Sequence, residues 1–146
     1  MRHTLIAFLC LSLLVAGCQS SKETSIEEAV SEVFGKPYPN GTGLASVVVE
    51  SGVLIIEANL QPTRTTTIEE QVGFLFGSRL KRLYDTVKEV DQVKAKVNLS
   101  YSDQYGNITW KPGVSFEFSR AIYQKINWNE FNVYNLLKVA ENVTRH

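Results

Sequence analysis

The residues able to do chemistry in this chain are few, and their spacing argues against most catalytic schemes. Its 146 residues include two cysteines, Cys10 and Cys18, and two histidines, His3 and His146. A general base must sit within hydrogen-bond reach of the proton it takes. His146 is the last residue of the sequence, where side chains are rarely held still. Ser-His-Asp, Cys-His and His-rich zinc schemes therefore lack their parts. Paired carboxylates alone would suffice for glycoside hydrolysis. The adjacent pairs Glu27-Glu28 and Glu69-Glu70, however, fall in predicted first turns of helices, where capping and the helix dipole account for them. Asp85, Asp91 and Asp103 are expected on a helix face, a helix end and a turn, without the spacing of a calcium loop. Gly41 and Gly43 precede no Gly-Lys-Ser/Thr, so they make no phosphate loop. No catalytic residue, metal ligand or cofactor site is assigned, and the chain is read as non-enzymatic.

Recognition surfaces are the alternative use of reactive side chains. Tyr105 is expected at a turn tip, and Lys94, Lys96 and Lys111 at outward strand positions, so these four form the candidate interaction surface. Tyr101, Trp110, Trp128 and Phe131 fall at inward positions of their elements and are expected in the core. The sequons at Asn40, Asn98, Asn107 and Asn142 are read as coincidental, given the N-terminus described below.

Composition narrows the partners. The chain is 44% hydrophobic and 21% charged, enough apolar material for a packed core and too much for disorder. Formal net charge is +0, which gives no electrostatic case for nucleic acid or for a purely charge-driven membrane contact.

The first residues form a separate unit. Arg2 and His3 supply a short positive start, Leu5 to Leu14 is apolar, and Val15-Ala16-Gly17-Cys18 closes the run before Gln19-Ser20-Ser21-Lys22-Glu23. About 20 apolar residues are needed to span a bilayer, against about 7–15 for a signal segment. Residues 1–17 therefore read as a removable signal peptide. The closing tetrapeptide resembles the lipobox of bacterial lipoproteins, with Val15 where that family more often has Leu. The resemblance implies a diacylglycerol thioether on Cys18 and cleavage just before it. It also implies residence on the outer face of the cytoplasmic membrane in a Gram-positive cell, or in the outer membrane of a Gram-negative one. Removal of residues 1–17 takes Arg2 alone and leaves 14 basic against 15 acidic side chains. With Cys10 removed and Cys18 acylated, the mature domain would hold no free thiol.

Beyond a tether over 18–24, residues 25–146 read as one globular domain. Ser25-x-x-Glu28 and the stripe Ile26, Ala29, Val30, Val33, Phe34 predict a helix ended by Gly35 and Pro37. Residues 36–43 read as a loop. Val47-Val48-Val49 and Val53-Leu54-Ile55-Ile56, joined by Glu50-Ser51-Gly52, predict a hairpin, and their lack of alternation suggests a central pair. Thr66-x-x-Glu69 and Thr67-x-x-Glu70 are alternative capping boxes for a long helix whose stripe is Gly73, Phe76, Leu80, Leu83, Val87 and Val90. Residues 93–103 alternate strictly, as a strand with one wet face. A turn at Asp103-Gln104-Tyr105-Gly106-Asn107 leads to a returning strand with Ile108, Trp110, Val114, Phe116, Phe118 and Ile122 inward. Pro112-Gly113 interrupts that strand, as an edge position or a bulge. Asn127-x-x-Glu130 then predicts a last helix carrying Trp128, Phe131, Val133, Leu137, Ala140 and Val143. The expected fold is α+β: a two-layer sandwich of order α-β-β-α-β-β-α, its antiparallel sheet of about four strands covered by helices on one face.

Residues 93–146 are also similar to small exported proteins and lipoproteins of Bacillus-like bacteria. The likeness rests on the Asp103–Asn107 turn, on Lys125-Ile126-Asn127-Trp128-x-x-Phe131, and on Val139-Ala140-Glu141 with His146. It lends a domain boundary and no activity. The expected function is a non-enzymatic binding or interaction domain, held at the membrane by its N-terminal lipid, with an envelope protein or a small ligand as partner. One alternative is a sensor of small molecules or peptides using a pocket between the sheet and the loop at 35–43. A carboxylate-dependent hydrolase of wall polymers is the remaining one.

Overall fold

The computed structural model describes residues 25–146. The expected signal peptide, the Cys18 lipidation site and the expected tether lie outside the described residues. The elements run α1 (Ile26–Phe34), β1 (Gly43–Glu50), β2 (Val53–Leu60), α2 (Ile68–Thr86), β3 (Gln92–Ser102), β4 (Ile108–Ser119), α3 (Arg120–Lys125), a 3-10 turn (Val133–Asn135), α4 (Leu136–Val139) and β5 (Glu141–Arg145). The fold is α+β, and its five strands form one open sheet in the order β1-β2-β3-β4-β5.

Local sequence explains the elements that were predicted. Ser25 caps α1 by accepting from the Glu28 amide, and Gly35, at φ 88°, ends it in a conformation costly for residues with a Cβ. Ser51 and Gly52 both take positive φ, so β1 and β2 meet in a tight turn that matches strand twist. Of the two capping boxes before α2, Thr67 with Glu70 is the one formed, in both directions. Of the expected stripe, Gly73, Phe76, Leu80 and Leu83 are buried on α2, while Val87 and Val90 are buried beyond its end at Thr86.

The antiparallel four-strand sheet is corrected in two respects. β2 and β3 pair in parallel, because α2 carries the chain back along the sheet so that β3 starts at the same end as β2. A fifth strand forms where the last helix was expected. Residues 127–143 contain five asparagines, and two of them turn the chain locally: Asn127 Oδ1 accepts from the Asn129 amide and Asn132 Oδ1 from the Tyr134 amide. Such bonds compete with helical ones. The segment therefore breaks into the 3-10 turn, the one-turn α4 and β5, which pairs antiparallel with β4. Trp128 and Phe131 still point inward, in a ring cluster with Phe118 and Tyr123.

The expected central pair is also corrected. β2 is inside the sheet but β1 is its edge, and Val48 at that edge is exposed. Ile122, expected at the end of a strand, is buried on α3 instead, since Ser119 caps a helix there.

Helices cover one face of the sheet. Leu54, Ile56, Val93, Val97, Phe116 and Phe118 meet Phe76, Leu80, Leu83 and Leu136 in a continuous core. Two devices close it. The backbone of the 3-10 turn lies against Gly73 and Gly77, where any Cβ would strike Val133. Arg120 donates to the carbonyls of Tyr84, Val87 and Val90, filling the C-terminal end of α2 while its guanidinium lies 4.9 Å from the Tyr84 ring centre. Burial pushes the Tyr84 phenol well above its ordinary pKa, and its hydroxyl donates to the Phe118 carbonyl at 2.6 Å.

A groove across the open face of the sheet

The candidate site is on the face that no helix covers, and strand register builds it. Ser46 pairs with Glu57, Glu57 with Lys96, Lys96 with Ser115, and Ser115 with Thr144. Each of these residues points away from the core, so the register lays one polar row across all five strands. Beside it runs a second row in which Asn59 pairs with Asn98 and Asn98 with Pro112.

The two rows are joined by side-chain hydrogen bonds. Asn98 Nδ2 donates to Glu57 Oε1 at 2.8 Å and to Asn59 Oδ1 at 3.1 Å. Ser46 Oγ donates to Glu57 Oε2 at 3.3 Å. Asn59 is only 2% exposed despite facing away from the core. The cause is the loop between α1 and β1, which folds over it so that Asn59 Nδ2 donates to the Pro39 carbonyl at 2.7 Å. This buried amide has both its donor and its acceptor engaged, which a desolvated side chain requires.

Two adjoining concavities result, sharing Glu57, Asn98 and Pro112. One, of about 480 Å³, lies between the Pro39 loop and the sheet and is flanked by Trp110. The other, of about 400 Å³, continues past Lys96 and Ser115 to His146. A depression between the sheet and the loop at 35–43 is therefore present, on the uncovered side.

Trp110 reaches this face through a break in register. Val97 pairs with Val114 but Asn98 pairs with Pro112, leaving Gly113 as the extra residue of a bulge. A Cβ on Gly113 would collide with the Leu99 side chain, so the bulge is fitted to glycine. Its effect is to swap the faces of everything beyond it on β4, since bulges re-aim side chains. Trp110, expected in the core with Phe116, instead shares the open face with Asn98 and is half-buried there. Lys111 moves the other way. It sits over the Tyr101 ring at 5.1 Å, on the face opposite Lys94 and Lys96. The expected three-lysine strip therefore does not form.

The rest of the expected surface is scattered. Lys94 and Lys96 are exposed on the open face, and Lys94 pairs with Glu117 at 3.5 Å. Lys96 has no ion-pair partner among the described residues. Tyr105 is 81% exposed at the hairpin tip, far along β3 and β4 from the groove. That tip is held by Asp103, whose carboxylate accepts from the Tyr105 amide and from the amide and side chain of Asn107. The Asn107 side chain above all keeps the Asp103 carboxyl below its ordinary pKa. Tyr101, expected in the core, is 47% exposed because the hairpin outruns the helices that would cover it.

Glu57, Asn59 and Asn98 were not singled out from sequence. A signal was present: Glu57 and Asn59 interrupt an otherwise apolar strand two residues apart, which places both on one face. Among the described residues no group of three or more His, Cys, Asp or Glu converges as a metal site, and no described helix is long and apolar enough to cross a membrane. No family model, curated protein or solved structure matches the chain at a significant level.

Proposed function

We propose that the domain is a binding module that takes a ligand in the groove across its open sheet face, and that lipid on Cys18 holds it at a membrane surface. One observation carries the binding reading: polar side chains from all five strands align on a face that no described helix covers. A sheet can leave one face to water with scattered polar residues. Here those on β1 to β3 are instead cross-linked by hydrogen bonds, and a wall is added by the Pro39 loop. Preorganised polar groups in a concavity are what fix a ligand's orientation. The groove offers one side-chain carboxylate, Glu57, where glycoside hydrolysis uses two. That favours binding over turnover.

The test is amide chemical-shift mapping of the full chain in detergent against a panel of small polar compounds. Saturable shifts confined to residues 44–59, 94–98 and 110–115 are expected. Shifts confined to the hairpin tip or to α2 would transfer the function elsewhere. The anchor has its own test, metabolic labelling with a fatty acid, where equal labelling of wild type and Cys18→Ala would remove it.

A further inference from the structure

We infer that the ligand of this groove is a linear, uncharged glycan. The inference rests on the binding reading above and adds the chemical class. It begins with what the face of a sheet can and cannot offer. Inside a sheet the backbone amides and carbonyls are consumed by the ladder, so a molecule lying across the face meets side chains alone. A peptide that binds by adding a strand needs an unpaired edge, and the groove runs across the faces of strands β1 to β4 instead of along a free edge.

The polar atoms that have no partner within the described residues and face solvent define the complement. The Trp110 indole N–H donates to no acceptor among the described residues, whereas the other indole, on Trp128, donates to the Tyr123 carbonyl. Both amide hydrogens of Asn98 are spent on Glu57 and Asn59, which leaves its Oδ1 as a free acceptor. Glu57 keeps acceptor capacity on both oxygens, since a carboxylate has about four lone-pair sites. A hydroxyl both donates and accepts, so a polyhydroxylated ligand satisfies these groups together.

Charge selects for neutrality. Glu57 and Lys96 are directly opposed in register, so their fields oppose one another across the groove floor. An anionic or cationic chain gains from one and loses to the other. Shape supplies the remaining constraint. Trp110, Pro112 and Pro39 present rigid, flat, apolar surfaces beside the polar network. The indole face is electron-rich, and the axial C–H groups of a pyranose make a matching flat, weakly positive face. The polar row spans five strands at about 4.8 Å spacing, roughly 19 Å overall. That is the length of a short oligomer laid across the strands.

The experiment uses the full chain in detergent, labelled with 5-fluorotryptophan so that Trp110 and Trp128 give separate fluorine resonances. Chitotetraose and cellotetraose are the neutral probes; tetragalacturonate and tetralysine are the charged ones. The expected result is a saturable shift of the Trp110 resonance with a neutral probe and a fixed Trp128 resonance. Trp110→Ala should weaken binding, read by calorimetry, at least about tenfold, equivalent to about 1.4 kcal/mol. Trp110→Phe should recover part of that loss, because it restores the ring without the N–H. An unchanged Trp128 resonance in each variant shows that the fold is intact. With both neutral probes silent, a shift of Trp110 by tetragalacturonate would overturn the neutrality of the ligand and a shift by tetralysine its glycan class; either would leave the groove as a binding site. If no probe moves Trp110 and the small-compound panel moves no groove amide, both readings fall.

Discussion

The two faces of this sheet are separated by one residue in sequence and by the kind of work they do. On β3, Val93, Ala95 and Val97 are essentially inaccessible, while Lys94 and Lys96 between them are exposed. The covered face is held by area removed from water, at about 25 cal/mol per Å², and by rings such as Phe76 and Phe116 packed edge to face at 5.3 Å. The open face is held by hydrogen bonds among Glu57, Asn59, Asn98 and Ser46, whose net contribution to stability is about 0.5–1.5 kcal/mol each. The proposed binding face thus lies opposite the face that stabilises the same strands, and substitutions should separate the two.

The largest effect belongs to the covered face. Phe76→Ala removes a fully buried ring that touches both Phe34 and Phe116, and should cost about 3–5 kcal/mol. Urea unfolding checks this as a shifted midpoint at constant slope. Arg120→Met comes next. It strips donors from the Tyr84, Val87 and Val90 carbonyls, and an unsatisfied polar group in a part-buried site costs about 1–3 kcal/mol. Arg120→Lys should recover only part, because an ammonium does not reproduce the planar fork. Full recovery would mean that charge at the end of α2, and not the fork, is what matters.

Gly73→Ala decides between two opposed terms. Alanine favours a helix interior over glycine by about 1 kcal/mol. The new methyl would strike the Val133 carbonyl, a backbone group with no rotamer to change, and overpacking costs about 1–3 kcal/mol. The clash should win, and the net should be a modest destabilisation. A stabilised variant would show that the 3-10 turn is not seated on α2 in solution.

These residues also mark where sequence stopped being informative. Helix α2 and strand β3 were legible because one periodic pattern runs through each, and the Ser51-Gly52 turn because only certain residues adopt its φ. The parallel pairing of β2 with β3 was not legible, since nothing within either strand encodes its neighbour. Gly113 hid the site itself. Up to Val114 the even-numbered residues of β4 face the helices on the way back from Phe118, and one inserted residue reverses that parity for Trp110 and Lys111. The pattern was read through the bulge, so the one indole on the open face was placed in the core. The C-terminal strand was missed because spacing of apolar residues favoured a helix while asparagines, acting through local turns, favoured none.

Acid should probe the surface ties of the helical layer and the hairpin tip. Arg145 holds the Glu69 carboxyl below its ordinary range, chiefly by a side-chain hydrogen bond, and Lys81 followed by Tyr123 does the same for Asp85. Asp103 is depressed at the hairpin tip. Each folded pKa lies below its unfolded value of about 4, so the unfolded chain takes up protons first as pH falls. The stability from these groups is present above about pH 5 and lost as pH drops through their folded values. Thermal midpoints recorded across that window should fall towards acid, and by less at high salt, since all three groups are exposed to screening. A midpoint that stays flat to low pH would remove these ties from the account.

The smallest effect is the sharpest test of the comparison. Lys96 lies at the centre of the polar row, opposite Glu57 on one side and Ser115 on the other, with no ion pair among the described residues. If the open face is a recognition surface, Lys96→Ala should change stability by no more than about 0.5 kcal/mol, as expected for an exposed side chain. Its effect should appear in charge selectivity instead. Without the ammonium, Glu57 is left as the dominant charge of the groove floor, and tetralysine should begin to compete with the neutral probes. A loss of stability above about 1 kcal/mol, the upper range for a favourable cross-strand pair, would show that Lys96 is bracing β2 against β4. The open face would then be contributing to the fold in the same way as the covered one, and the division between them would fail at its centre.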